Sequence, residues 1–298
     1  MIVCLGEALV DLICERHTES FADADRFTPH FGGALANVAV AARRAGADAA
    51  LAGAAGDDEW GRWLRERLQR EGVDLRFFEL MDGEQTPIAF ASFDSDGEPH
   101  FQIYGDAIEV AIEGVAPRLE EAIHAADALV YSSTTLATPA EREVTLRARG
   151  LALAGGARVC FDPNIRPNRW GGDPQPAAEA SRELIPGSFL VRANRAEALV
   201  ITGMDDPREA AQEIARLGAE LAVVTLGAEG AVIRGACEAE LPASEVEVVS
   251  TLGAGDAFMG TLVGGLAARD WDSTRAAEAL GPALDAAAAA CGCWAALD

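Results

Sequence analysis

Ser250 to Gly260 reads STLGAGDAFMG, a run of small residues leading straight into a strongly apolar helical pattern. In such a turn the backbone N–H groups of Gly253, Ala254 and Gly255 converge at a helix N-terminus, where unpaired donors and the helix dipole favour an anion. Asp256 falls in the first helical turn beside that anion. A carboxylate there repels phosphate unless it has another task, and the task that fits is to accept a proton from a hydroxyl attacking the phosphorus. Alone, G-A-G-D reads equally well as a helix start whose aspartate only steadies the dipole. It is not a dinucleotide fingerprint, because Phe258 takes the place of the third glycine and no strand–helix–strand unit begins there.

Further out, Phe31 to Gly46 reads FGGALANVAVAARRAG. Gly32 and Gly33 permit a backbone to approach a ligand, and Asn37 lies on the first turns of an otherwise apolar helix, where an amide needs a partner. A sugar hydroxyl would serve; so would a capping or inter-helix contact. Around these segments short β-rich runs alternate with amphipathic helical patterns, which predicts an α/β fold with a mostly parallel central sheet and helices on both faces. The clearest strands are Ile2 to Leu5, Ala128 to Ser132, Arg158 to Phe161, Phe189 to Arg192 and Leu221 to Thr225. Helices are predicted for Ala34 to Ala45 and Glu59 to Glu71, stopped by Gly46 and Gly72. Pro87 to Tyr104 breaks the rhythm, since IAFASF, the turn DSDG and EPHFQIY form a hairpin pattern. Asp11 to Phe31 also lacks helical periodicity. Residues 1–298 therefore read as one domain with a small β lid from about 12–31 and 87–105.

Composition removes several classes. The chain has 298 residues, 50% of them hydrophobic, enough for a full core. Its net charge is -24, and every one of the 24 basic residues is arginine, because there is no lysine. Nucleic acid as a partner would oppose the protein's own field. A phosphate loop ending in GK[ST], a Schiff-base enzyme and a protein-kinase site are excluded in their standard forms. No apolar stretch reaches the roughly 20 residues needed to span a membrane, and Met1 leads directly into a strand, so a cytoplasmic location is expected. The six cysteines read as reduced core residues, and His17, His30, His100 and His124 form no close-spaced zinc pair.

The two signature segments, in this order, resemble those of the ribokinase/PfkB family of carbohydrate kinases: a G-G-x-x-x-N helix and D-T-x-G-A-G-D-x-F. The resemblance extends over nearly the whole chain. It implies a ribokinase-like three-layer fold with a β lid and transfer of the γ-phosphoryl group of ATP to a primary hydroxyl of a small sugar. GEALVDLI at Gly6 to Ile13 is similar to the family's first strand with its sugar-binding aspartate, here Asp11. FDPNIRPNRW at Phe161 to Trp170 resembles the D-x-N-x-R-x-x-x-W stretch of the fructokinase and ketodeoxygluconate kinase branches, which makes Arg166 the substrate-facing cation. Gly32, Gly33, Asn37 and Tyr104 complete the implied sugar side. NRAE at Asn194 to Glu197 resembles the N-x-x-E motif, with Asn194 near the nucleotide and Glu197 holding Mg2+ through water. TLGAEG resembles the T-x-G-x-x-G loop, placing Thr225, Gly227 and Gly230 beside ATP. Taken singly, Asp11 reads as a turn cap, Arg166 as an ion-pair partner, Glu197 as a helix carboxylate and Tyr104 as packing. Ser250 stands where the family signature opens with aspartate, which leaves a monovalent-cation requirement open, and Asp285 stands near the place of an asparagine at the nucleotide. Fructose is the first expected substrate, ketodeoxygluconate the second, ribose and nucleosides behind. From other classes, a catalytically silent sugar- or nucleotide-binding regulator fits the fold, whereas a nicotinamide dehydrogenase lacks its glycine fingerprint. The exposed lid edge predicts a homodimer.

Overall fold

Short runs of Val, Leu, Ile, Cys and Ala, buried on both faces, make the parallel centre of the protein, as strands covered by helices on each side must be. The computed structural model describes residues 1–18 and 20–297. Its strands are β1 (Ile2–Leu5), β2 (Leu9–His17), β3 (Thr28–Gly32), β4 (Ala49–Gly56), β5 (Phe78–Met81), β6 (Ile88–Phe93), β7 (Pro99–Tyr104), β8 (Ala128–Ser132), β9 (Arg158–Asp162), β10 (Leu190–Asn194), β11 (Leu221–Thr225), β12 (Ala231–Gly235) and β13 (Ala239–Leu241). The helices are α1 (Ala34–Arg44), α2 (Glu59–Arg70), α3 (Ala107–Val115), α4 (Leu119–His124), α5 (Pro139–Gly155), α6 (Gln175–Leu184), α7 (Arg195–Thr202), α8 (Pro207–Arg216), α9 (Ala254–Ala267) and α10 (Ala277–Cys291).

Nine strands form the large sheet in the order β13-β12-β11-β10-β9-β8-β1-β4-β5. It is parallel from β11 to β5, while β12 and β13 turn back antiparallel at one edge. The chain leaves β1 toward β4 and β5, then returns to β8 on the other flank and runs outward to β11. Strand order therefore reverses at β1 and β8, and the crevice beyond the carboxyl ends of such strands is where open α/β sheets bind ligands. Two apolar cores, one on each face, hold the helices to the sheet.

The predicted hairpin forms as β6 and β7, paired from Ile88 with Tyr104 to Phe93 with Pro99. It joins β2 and β3 in a separate four-stranded sheet ordered β3-β2-β6-β7, in which only the β2–β6 pair is parallel. The register puts Asp11, His30, Ala89 and Ile103 in one row, and hence on one face. Tyr104 pairs with Ile88 and lies on the opposite face.

Strand β4 reads AALAGAAG and was not among the sequence expectations, because Ala and Gly carry little strand propensity. Close packing is why such a strand is used: a Cβ on Gly114 of α3 would stand 2.3 Å from the Ala54 Cβ, and one on Gly53 would stand 2.2 Å from the Gly6 carbonyl oxygen. The same device joins α1 to α9. A Cβ on Gly260 would lie 2.4 Å from the Val38 carbonyl oxygen and 2.5 Å from the Ala41 Cβ, so only glycine lets the two helices meet there. Cys4, Cys14 and Cys160 are buried, and all six cysteines are free thiols. No helix among the described residues is long and apolar enough to cross a membrane.

Candidate active site

The site grows from the ends of strands. Beyond β1 the chain turns at Gly6 and Glu7, and the buried Glu7 carboxylate Oε1 accepts the N–H of Ala34 at 2.8 Å. Helix α1 starts on Gly33, which has no side chain to cap with, so Glu7 supplies the cap from another segment. Gly33 has φ +102°, and a Cβ there would stand 2.4 Å from the Glu7 carbonyl oxygen; a Cβ on Gly32 would stand 2.0 Å from Asp11 Oδ2. Both glycines make room for the protein's own acidic segments, a tighter reason than ligand approach.

Asn37, on the first turn of α1, is buried and donates from Nδ2 to Asp256 Oδ2 at 2.9 Å, while its Oδ1 has no partner. The amide thus fixes the carboxylate of α9 and keeps one acceptor in reserve. Asp256 is the third residue of α9, whose N-cap Gly253 sits at φ +73°. Among the described residues the N–H groups of Gly253, Gly255 and Asp256 meet no acceptor, whereas that of Ala254 reaches Thr251 O at 3.4 Å. Three donors therefore remain free at this helix mouth, with Asp256 in the place expected of Ala254.

Burial pushes the carboxyl group of Asp256 up to about 7; Asn37 and the charge of Arg166 pull it back, and Asp162 and Glu7 raise it further. Asp11, buried on β2 beneath Gly32, is also pushed up to about 7, first by burial and then by Asp256 and Glu7, with His30 opposing. Glu7 is raised mainly by burial, and its Oε2 has no hydrogen-bond partner. Three neighbouring acids thus share a buried region in which they cannot all ionise cheaply.

The loop after β9 carries Asn164 at φ +40°, a costly conformation that turns the chain toward Arg166. The Arg166 side chain is exposed and makes no hydrogen bond among the described residues, yet its charge is felt by both Glu7 and Asp256. Its neighbour Arg169 is committed, with Nη1 on the Asp106 carboxylate at 2.8 Å and Nη2 on Glu141 at 2.5 Å.

Asn194 and Glu197 form a reciprocal capping box at the start of α7: Asn194 Oδ1 accepts the Glu197 N–H at 2.9 Å and Glu197 Oε2 accepts the Asn194 N–H at 2.8 Å. Glu197 Oε1 accepts from the Ile165 N–H at 2.9 Å, tying the β9 loop to α7. Burial first, and then Asp162, raise this carboxyl group. Thr225 ends β11 with its hydroxyl accepting from Arg192 at 2.8 Å. Gly227 turns in open space at φ +60°, whereas Gly230 is glycine because a Cβ would stand 1.9 Å from the Leu241 carbonyl oxygen. Ser250 is sealed, its hydroxyl donating to Trp294 O and accepting from the Leu252 N–H, both at 3.3 Å. No group of three or more His, Cys, Asp or Glu side chains among the described residues is arranged to hold a metal. Tyr104 packs on Phe90 at 5.8 Å on the face turned from Asp11 and accepts a hydrogen bond from Gln102, so it stands apart from the residues expected with it on the sugar side. Ile103 takes its place on the Asp11 face. Sequence reasoning missed Glu7, Asp162 and Arg192; the first two lie inside the quoted GEALVDLI and FDPNIRPNRW segments.

A mostly parallel sheet covered by helices, with a small second sheet beside it, is the α/β architecture of the ribokinase-like fold. Comparison with known proteins identifies the family: residues 1–296 match the pfkB family carbohydrate kinases, and the chain belongs to that family and is an ATP-dependent sugar kinase. Fructokinase-1 of Oryza sativa subsp. japonica is 34% identical over 273 residues, covering 88% of this chain and 82% of the rice protein. The structure of a fructokinase from Vibrio cholerae O395 with fructose, ADP and calcium ion bound superposes with a TM-score of 0.83 at 28% identity, covering 99% of this chain and 94% of that one. An aminoimidazole riboside kinase from Salmonella enterica, complexed with its riboside and an ATP analogue, gives a TM-score of 0.83 at 28% identity over 99% and 95% of the two chains.

Proposed function

We propose that this chain phosphorylates a primary hydroxyl of a neutral ketohexose, fructose first, with Asp256 accepting the proton. The observation that carries the reading is the state of Asp256: a carboxylate steered by Asn37 at 2.9 Å, pushed up to about 7, beside three free helix-start amides. A base with an affinity for protons near the working pH transfers most effectively. In this reading Asp11, Arg166 and the open Oδ1 of Asn37 orient the sugar. Asp256 takes the hydroxyl proton as the sugar oxygen attacks the γ-phosphorus, and the amides of Gly253, Gly255 and Asp256 hold the charge of the moving group.

Oxygen-only donors at Glu197 and Asn194, already engaged by backbone amides, suit a hydrated Mg2+ carried in with the nucleotide rather than a closed protein cage. When bound, that ion neutralises phosphate charge. Charge also favours a neutral acceptor. A substrate carboxylate would face Glu7, Asp11 and Asp256 with Arg166 as its one uncommitted cation, since Arg169 is held by Asp106 and Glu141. The names of the rice and Vibrio relatives agree with fructose; the riboside kinase keeps ribosides as the runner-up.

Ile103 and Phe101, exposed on the Asp11 face of β7, are suited to close over bound sugar and exclude water. The unpaired edge of β7 is a surface for a second copy, and light scattering at micromolar concentration should report a dimer. The decisive assay offers fructose, ketodeoxygluconate, ribose and adenosine to the wild type and to Asp256→Asn. Fructose should turn over fastest, and the variant should lose on the order of 10²–10⁴ in kcat while remaining folded. Near-normal kcat in folded Asp256→Asn would remove it from the reaction.

A further inference from the structure

Arg192 is a buried cation that the sugar-and-nucleotide reading leaves unused. It lies on β10 two residues before Asn194, and its guanidinium is held from two sides: Nη1 donates to Asp162 Oδ2 at 3.1 Å and Nη2 to Thr225 Oγ1 at 2.8 Å. Its Cζ lies 5.9 Å from the centre of the Phe258 ring on α9, and its Nε, sealed from solvent, has no partner. A Cβ on Gly255 would stand 2.7 Å from Nη1 and 3.0 Å from Nη2, so the guanidinium lies against the first turn of α9. This contact explains why Gly255 is glycine.

Two positive elements thus converge, the fixed charge of Arg192 and the N-terminal end of α9 with its free amides. Asp162 balances the guanidinium, and a phosphoryl group placed between Arg192 and the helix mouth would meet both the guanidinium and the free amides. The resident acids are occupied: Asp162 also accepts the Asn164 N–H at 3.0 Å, both oxygens of Glu197 accept backbone N–H groups, and Asp256 is held by Asn37. A chain without lysine has no flexible ammonium to follow a phosphoryl group, whereas a pinned guanidinium is suited to phosphate oxygens.

We propose that Arg192 is the fixed cation of the phosphoryl-transfer site. As the bond between the γ-phosphorus and the bridging oxygen of ATP breaks, ADP leaves with the electron pair, the sugar oxygen bonds to phosphorus and Asp256 receives the proton; Arg192 stabilises the negative charge of the group in passage. This rests on the placement of phosphoryl transfer at the α9 mouth.

The test uses Arg192→Met, Arg192→Lys and the charge-matched pair Arg192→Met with Asp162→Asn, which also removes the acid that Arg192 pairs with, should the single change fail to fold. Each is assayed for kcat, for the KM of fructose, and for binding of ADP alone against ADP with aluminium fluoride in magnesium buffer, the fluoride complex mimicking the group in flight. Arg192→Met, or the pair, should lose on the order of 10²–10³ in kcat with the fructose KM within about threefold. The tighter binding of the fluoride complex over ADP should disappear, and Arg192→Lys should restore part of both. A folded variant that keeps the wild-type preference for the fluoride complex overturns the proposal, as does a loss confined to KM. Asp256→Asn in the same assays separates the two readings: it should keep the fluoride-complex preference while losing turnover, and full turnover there would overturn the siting of the chemistry independently of Arg192.

Discussion

Asp11→Asn should make the sugar-free protein more stable while weakening its hold on sugar. The Asp11 carboxyl group titrates near 3.8 in an unfolded chain and is pushed up to about 7 in the fold, chiefly by burial. Each unit of such a shift corresponds to about 1.4 kcal/mol, so roughly three units set a ceiling of about 4 kcal/mol on the cost of keeping this carboxylate ionised. The sign follows from proton binding. Between pH 3.8 and about 7 the folded state holds more protons than the unfolded state, so the stability of the wild type falls as pH rises through that window and levels off above it. Asparagine has the same shape and no charge, and Asp11 makes no hydrogen bond among the described residues that the swap would break. Urea unfolding of both proteins, followed by tryptophan fluorescence from pH 4 to pH 8, should give nearly equal stabilities at the acid end. The advantage of the variant should then grow to its maximum above pH 7, while fructose binding measured by calorimetry declines. An equal loss of stability at every pH would refute the idea that Asp11 is held in an unfavourable ionisation state for the sake of the ligand.

Asn37→Leu removes the hydrogen bond that lowers the proton affinity of Asp256, so the acid limb of the kcat profile should move to higher pH; an unmoved limb would detach Asn37 from the base. Gly260→Val forces a side chain against Val38 and Ala41, and should cost at least 1–3 kcal/mol in unfolding measurements while disturbing the Asn37–Asp256 contact and hence turnover. Gly230→Ala should destabilise far more than Gly227→Ala, because Gly230 alone meets Leu241; a change in the KM of ATP without loss of stability would instead assign Gly230 to the nucleotide.

What could be read in the sequence is what depends on neighbours along the chain. The GAGD turn, the strands Ile2–Leu5, Ala128–Ser132 and Leu221–Thr225, and the hairpin around DSDG each carry their signal within about a dozen residues, and each formed where expected. Roles that depend on partners distant in sequence could not be read this way. Glu7 looks like an ordinary acid until the fold brings it to Ala34, and Arg192 looks like a strand residue until α9 places Gly255 against it. Tyr104 shows the converse, since a shift of one place along β7 decides whether an aromatic or Ile103 shares the Asp11 face, and only the pairing with Ile88 fixes that register. The glycines bridge the two cases. Sequence marks Gly32 and Gly33 as places where the backbone must be bare, but the reason lies in what presses on them, Asp11 and Glu7; Arg192 and helix α1 press on Gly255 and Gly260 in the same way. At Gly32, Gly33 and Gly255 the neighbour is a carboxylate, a carbonyl or a guanidinium; at Gly260 it is the α1 backbone and Ala41. The bare positions are therefore joints of the proposed site, and enlarging any one should disturb several of its contacts rather than one at a time.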